Sequence, residues 1–230
     1  MFDNIFGHYC ARIKGTSESN IIGVKVYYRK NVTIKNIKVK DYWEGINIWG
    51  SSSISVTGCT VINNLWSGLQ MDGSTDCYIN KNVIMNNSYG IVFVESSKNL
   101  IFENNITNND CAILLVDSLN NKFWHNNFIN NDKQVSFECF KYSALPNTWD
   151  DGYPSGGNYW SDYSGTDERY GPNQDEQGSD GIYDAPYVIN KSNRDNYPLV
   201  EIIPEFSSIL TLLSILAVSS ILAVSHKKKK

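Results

Sequence analysis

The chain has 230 residues, 41% of them hydrophobic, which suffices for a packed core and excludes wholesale disorder. Its net charge of −4 is uneven: residues 1–145 carry 13 basic and 12 acidic side chains, residues 146–205 carry 3 and 12, and residues 206–230 carry four lysines and no acid. The main body has no broad basic patch, which excludes nucleic acid as a partner.

The start, MFDNIFGHYC, has no basic residue and no apolar run, so it does not read as a signal peptide. The far end reads as membrane-directed, so the expectation is that the native start lies upstream.

From there to about residue 145 the sequence repeats every 22 residues. One apolar ladder runs Val24, Ile46, Leu69, Ile91, Ile113, Val135, and a second runs two residues on, Val26, Ile48, Met71, Phe93, Leu115, Phe137. Two more run Ile34, Val56, Ile79, Ile101, Phe123 and Val39, Val61, Ile84, Ile106, Phe128. One extra residue between Val61 and Gly68 shifts all four together. Pairs at i and i+2 are strand spacing with one face inward, and no helical period intervenes. Gly23, Gly45, Gly68 and Gly90 precede the strand bearing the first two ladders, where a corner needs positive φ or close backbone approach. Asp41, Asn63, Asn86, Asn108 and Asn130, with Asn64, Asn87, Asn109 and Asn131 beside them, mark a polar corner, and Ser51, Ser74, Ser96 and Ser118 another. Three short strands and three corners per coil predict an all-β right-handed parallel β-helix of the pectate-lyase type, with side chains pairing coil to coil at about 4.8 Å. The predicted division is coils over 1–145, a C-terminal cap over 146–203 and an anchor over 204–230. The five dispersed cysteines, Cys10, Cys59, Cys77, Cys111 and Cys139, read as small buried hydrophobes, not as a disulfide framework.

The run Ile79, Asn82, Ile84, Asn86, Asn87, Gly90, Ile91, Phe93 resembles the β-helix repeats of the NosD family, within the broader carbohydrate-binding and sugar-hydrolase β-helix group. That resemblance implies the fold for roughly residues 15–140. It leaves function open, since this fold hosts many activities.

Residues 147–198 are rich in Gly, Asp and Tyr and resemble the segment that closes such coils in archaeal surface proteins. An open β-helix end exposes strand edges, so a cap is expected here, with Trp149, Tyr159, Trp160, Tyr163, Tyr187 and Tyr197 as its small core. Asp167, Asp175, Asp180 and Asp184 are candidate calcium ligands, against a plainer reading as turn-forming aspartates.

Residues 206–225 are twenty residues without a charge, followed by His226 and Lys227 to Lys230. As a helix they would span about 30 Å, the hydrocarbon thickness, with the lysines cytoplasmic and the β-helix outside at the cell surface. Pro204, Glu205 and Phe206 ahead of this span resemble the archaeal PEF-type sorting signal, which implies a membrane transpeptidase as partner.

Chemistry is sparse in the sequence. Glycosidases need paired carboxylates and lyases a cation with a base. The outward positions Lys25, Asn47, Gln70, Val92, Leu114 and Ser136 set no two carboxylates on adjacent coils. Copper wants clustered His, Met or Cys, but His8, His125 and His226 come from three regions. Trp43, Trp66 and Tyr89 lie just before their corner glycines on successive coils and form a candidate sugar platform, with lateral loop packing as the rival reading. Sequons at Asn31, Asn86, Asn105 and Asn190 fit a surface glycoprotein. The expected function is a non-enzymatic, cell-surface anchored structural or adhesion module, with no catalytic residue or resident cofactor. The alternatives are a carbohydrate-binding module and a polysaccharide-active enzyme.

Overall fold

The computed structural model describes residues 11–14, 21–138 and 145–204. Three parallel sheets wind around one axis in a right-handed type of β-solenoid with about 22-residue spacing, and no helix occurs among the described residues. The first sheet holds the six-residue strands Ile22–Tyr27, Glu44–Trp49, Ser67–Asp72, Tyr89–Val94, Cys111–Val116 and Lys133–Glu138. The second holds Thr33–Lys35, Ser55–Thr57, Tyr78–Asn80, Leu100–Phe102 and Lys122–Trp124. The third runs Ala11–Lys14, Ile37–Lys40, Thr60–Ile62, Val83–Met85, Asn105–Thr107, Asn127–Ile129 and Tyr159–Trp160.

Register follows the ladders: Ile46 pairs with Leu69, Leu69 with Ile91 and Ile91 with Ile113. These side chains, with Val56, Ile79, Ile101, Val61, Ile84 and Ile106, are fully buried. A one-residue slip would turn every one of them to solvent, so burial fixes the register. Gly45 shows why a glycine recurs at its corner. A Cβ there would lie 2.5 Å from the Gly68 carbonyl oxygen and 2.6 Å from Val61 Cγ1. Its φ is not positive, so close approach, not backbone handedness, selects glycine. Positive φ falls instead on Asp41, Asn63, Asn86, Asn108 and Asn130, between 52° and 63°.

Inside the corners run polar ladders, of which the sequence marks the Asn64 and Ser51 columns but not the other two. Asn82, Asn104, Asn126 and Asn158 are buried, and each Nδ2 donates to the next Oδ1 at 2.9 Å. The backbone N–H of Asn82 also donates to Asn104 Oδ1 at 3.1 Å, so one amide serves two coils. Asn99, Asn121 and Asn147 repeat this at a second corner, and Asn64, Asn87, Asn109 and Asn131 at the third. Backbone N–H groups of Ser51, Ser74 and Ser96 donate to the next serine hydroxyl. Corner backbone that would be orphaned in the core thereby gains partners.

Coil pairing continues past residue 145. Thr148 bridges to Lys122, and Tyr159–Trp160 pairs with Asn127 and Phe128. Here the repeat becomes Asn147-Thr148-Trp149 and Asn158-Tyr159-Trp160. Trp149 stacks on Phe123 and Trp160 on Phe128, both at 4.3 Å, and Tyr187 stacks on Trp160 at 4.2 Å. Strand Asn193–Asp195 then closes two ladders. Asn193 Oδ1 accepts from Asn147 N and Trp149 Nε1, while Asp195 Oδ2 accepts from Asn158 N and Trp160 Nε1. The chain next ties Ile203 to Asn127 through two hydrogen bonds. The predicted membrane helix over 206–225, its basic end and Glu205-Phe206 lie outside the described residues.

Candidate functional site

On the outer face of the first sheet several hydrogen-bonding and aromatic side chains converge on adjacent coils. Strand alternation sends Lys25, Asn47, Gln70, Val92, Leu114 and Ser136 outward in one column, and Tyr27, Trp49, Asp72 and Val94 in the next. The face has two halves. Val92, Leu114 and Val116 are buried despite pointing outward, with Tyr89 and Val94 packed against them.

The other half, on the first three coils, is polar. Asn47 donates to Glu44 Oε2 at 2.5 Å. Gln70, opposite Asn47, donates to Asp72 Oδ2 at 3.1 Å and accepts from Trp66 Nε1 at 3.2 Å. Burial first, and the Asp72 charge after it, hold the Glu44 carboxyl above its ordinary value, while the Asn47 bond pulls it down. Burial also raises Asp72, against the bonds from Gln70 and Asn47. The Tyr27 phenol is raised by burial and then by both carboxylates. Asn47 is only 4% exposed, yet its Oδ1 has no partner, and neither does the buried Ser67 hydroxyl beside Glu44. Trp49 is 47% exposed and meets Tyr27 edge-on at 5.5 Å.

As the sequence predicts, no two carboxylates face each other on adjacent coils, although Asp72 lies near enough to Glu44 for its charge to act on it. Glu44 pairs with Ser67 and Asp72 with Trp49, so neither faces the other in register, and Asn47 bonds Glu44. Sequence reasoning missed Glu44, Asp72 and Trp49, because only the central outward column was read. The alternation of Ile46 and Ile48 inward with Asn47 and Trp49 outward was the available signal for Trp49 and Asp72; Glu44 has the parity of Ile46, so alternation gives no signal for it.

Trp43, Trp66 and Tyr89 do come together. Trp43 and Trp66 stack at 5.9 Å with planes 6° apart, and Tyr89 leans on Trp66 at 4.8 Å. Trp66 therefore has an aromatic neighbour on each side and offers mainly its edge. The aspartates of the cap are engaged as turn acceptors. Asp167 accepts from Ser179 Oγ, Asp180 N and Gly181 N; Asp184 accepts from Thr166 Oγ1, Glu168 N and Arg169 N. Asp180 accepts from Gln174 and Ile182 N, and Asp175 is exposed. Among the described residues no three His, Cys, Asp or Glu side chains are arranged to hold a metal ion. Of the sequon asparagines, Asn31 and Asn86 are exposed, while Asn105 accepts from Asn127.

Residues 4–165 match the family described as periplasmic copper-binding protein (NosD). The chain belongs to the NosD family. No curated protein matches it. Among solved structures, the periplasmic alginate epimerase AlgG is similar at TM-score 0.50 and 22% identity, over 54% of this chain and 32% of the epimerase. A second similarity is to a lidless DFA-IIIase of Arthrobacter chlorophenolicus A6, at TM-score 0.37 and 11% identity over 62% of this chain and 46% of that one. The NosD-family chain thus spans about a third of the epimerase, and the likeness is one of fold. The described residues do not fit copper. The His125 ring bonds Ser155, and Cys59, Cys77 and Cys111 are buried, with no group of three such side chains arranged for a metal among the described residues. Burial pushes the Cys77 and Cys111 thiols up to about 11, away from the thiolate a metal needs.

Proposed function

We propose that this NosD-family chain is a non-catalytic adhesion module. It holds a carbohydrate against the outer face of the first sheet, over the first three coils. The carrying observation is Trp49, nearly half exposed, set beside the Asn47, Gln70 and Asp72 hydrogen-bonding row on a rigid column. An exposed indole covers the apolar face of a sugar ring, and flanking amides and carboxylates engage its hydroxyls. The parallel sheet holds these groups without further ordering, which lowers the entropic cost of binding. The apolar run 206–225 serves as membrane anchor, with Lys227 to Lys230 inside and the column outside the cell; a membrane transpeptidase acts on the tail.

Calorimetry of the full chain in detergent, with ligands chosen on a glycan array, tests the reading. Trp49→Ala lowers affinity about tenfold, the worth of roughly 1.4 kcal/mol of aromatic contact. Unchanged affinity in this variant removes the site, and an array with no bound glycan removes the function.

A second reading, a polysaccharide-active enzyme, draws on Glu44 and Asp72, whose proton affinities are both raised on adjacent coils. Turnover of a polysaccharide that disappears in Glu44→Gln and Asp72→Asn would establish it.

A further inference from the structure

The site's donors and acceptors are out of balance. The Asn47 amide donates to Glu44, the Gln70 amide to Asp72, and the Trp66 indole N–H to Gln70. Each of these groups already gives a hydrogen bond within the face. The acceptors are in surplus. An ionised carboxylate offers about four lone-pair positions, and Glu44 and Asp72 use few of theirs. Asn47 Oδ1 is buried without a partner. The Ser67 hydroxyl beside Glu44 is unpartnered too, but it can donate as well as accept and does not add to the surplus. In charge, Lys25 is the cation acting on Glu44, set against two carboxylates.

We infer that this face takes neutral saccharides bearing adjacent hydroxyls and turns uronates away. The inference rests on the glycan reading above and names the substrate class of the same site. Neighbouring sugar hydroxyls are donors, and a pair of them spans one carboxylate in two short charge-assisted bonds. A uronate carboxylate is an acceptor only. It would meet two like charges in a half-buried setting where screening is weak. Lys25 offsets one of those charges but not both.

The test is calorimetry of the full chain in detergent with a chelator present. The probes are a neutral gluco- or manno-oligosaccharide and an oligogalacturonate of equal length, at about 20 mM and about 300 mM NaCl. The neutral probe is expected to bind at least tenfold more tightly at low salt, with the gap narrowing at high salt. In Glu44→Gln/Asp72→Asn, which exchanges charge for N–H donors, the gap is expected to fall to threefold or less. Circular dichroism confirms that this double variant stays folded. Tighter or equal binding of the uronate by the wild type overturns the selectivity and leaves the glycan reading standing, as does a gap unchanged in the double variant. Binding of neither probe, with no ligand on the glycan array, overturns both.

Discussion

Asp195 is the cap residue whose protonation should be visible in stability. Its carboxylate is fully buried, against Gly157, where a Cβ would lie 1.8 Å from Oδ1. Burial pushes it up from 3.8 to about 7, although Asn158 N, Asn158 Nδ2, Trp160 Nε1 and Tyr197 N all donate to the charged form. The folded state therefore holds its proton where the unfolded chain has lost it. Below about pH 4 both states are protonated and nothing is lost. Between about pH 4 and pH 7 the unfolded chain gains from ionising first, so stability falls, by roughly 4 kcal/mol in total at about 1.36 kcal/mol per pH unit. Above pH 7 the loss is complete and the curve is flat from this group. Asn193 performs the same closing role for Asn147 and Trp149 with an amide. Asp195→Asn keeps that role and drops the charge, at the cost of the Tyr197 N–H bond, about 1 kcal/mol. Denaturant unfolding of the full chain in detergent from pH 4 to pH 8 is the assay, read as variant minus wild type. The variant is expected to be about 1 kcal/mol less stable at pH 4 and about 3 kcal/mol more stable at pH 8. Parallel curves, or a variant less stable throughout, would refute the reasoning.

Asn104→Ala removes a buried amide that receives Asn82 N and Nδ2 and donates to Ile79 O, Phe102 O and Asn126 Oδ1, so a loss of about 3–5 kcal/mol in denaturant unfolding is expected. Asn108→Ala, exposed and at φ 52°, costs about 1 kcal/mol, chiefly through the left-handed backbone; equal losses in the two would contradict the ladder. Ile91→Asp places a charge among Leu69 and Ile113, and thermal melts should show the cooperative transition gone, whereas Gln70→Ala loses its bonds to Trp66 and Asp72 for about 1 kcal/mol. Gly45→Ala forces the Gly68 carbonyl and Val61 apart and is expected to cost about 1–3 kcal/mol by the same melts.

What the sequence discloses depends on whether a residue's chemistry agrees with its direction. Ile46, Leu69, Ile91 and Ile113 are apolar and point inward, so period and register are legible from them together. Asn82, Asn104 and Asn126 point inward too, but an amide reads as surface. Their ladder also begins in apolar residues: Cys59 N donates to Asn82 Oδ1, and Ile37 holds the same place one coil earlier. No single residue type marks the column, and only the unsatisfied corner N–H groups explain it. Asn63 and Asn64 make the contrast within one dipeptide. The first is exposed at φ 56° because the turn needs a left-handed residue, and the second is buried because the next coil needs an acceptor. The candidate site escaped for a different reason. Ladders compare residues 22 or 23 apart, whereas Glu44 and Asp72 are 28 apart and act on each other by charge across two strands. A solenoid stacks equals on equals, so repeat comparison finds its core and is blind to diagonals. Diagonals are where unlike side chains meet, and chemistry needs unlike side chains. Function on such a column is therefore to be sought where the repeat is broken. On this chain that means the first three coils of the long-strand sheet, where Asn47 and Gln70 give way to Val92 and Leu114.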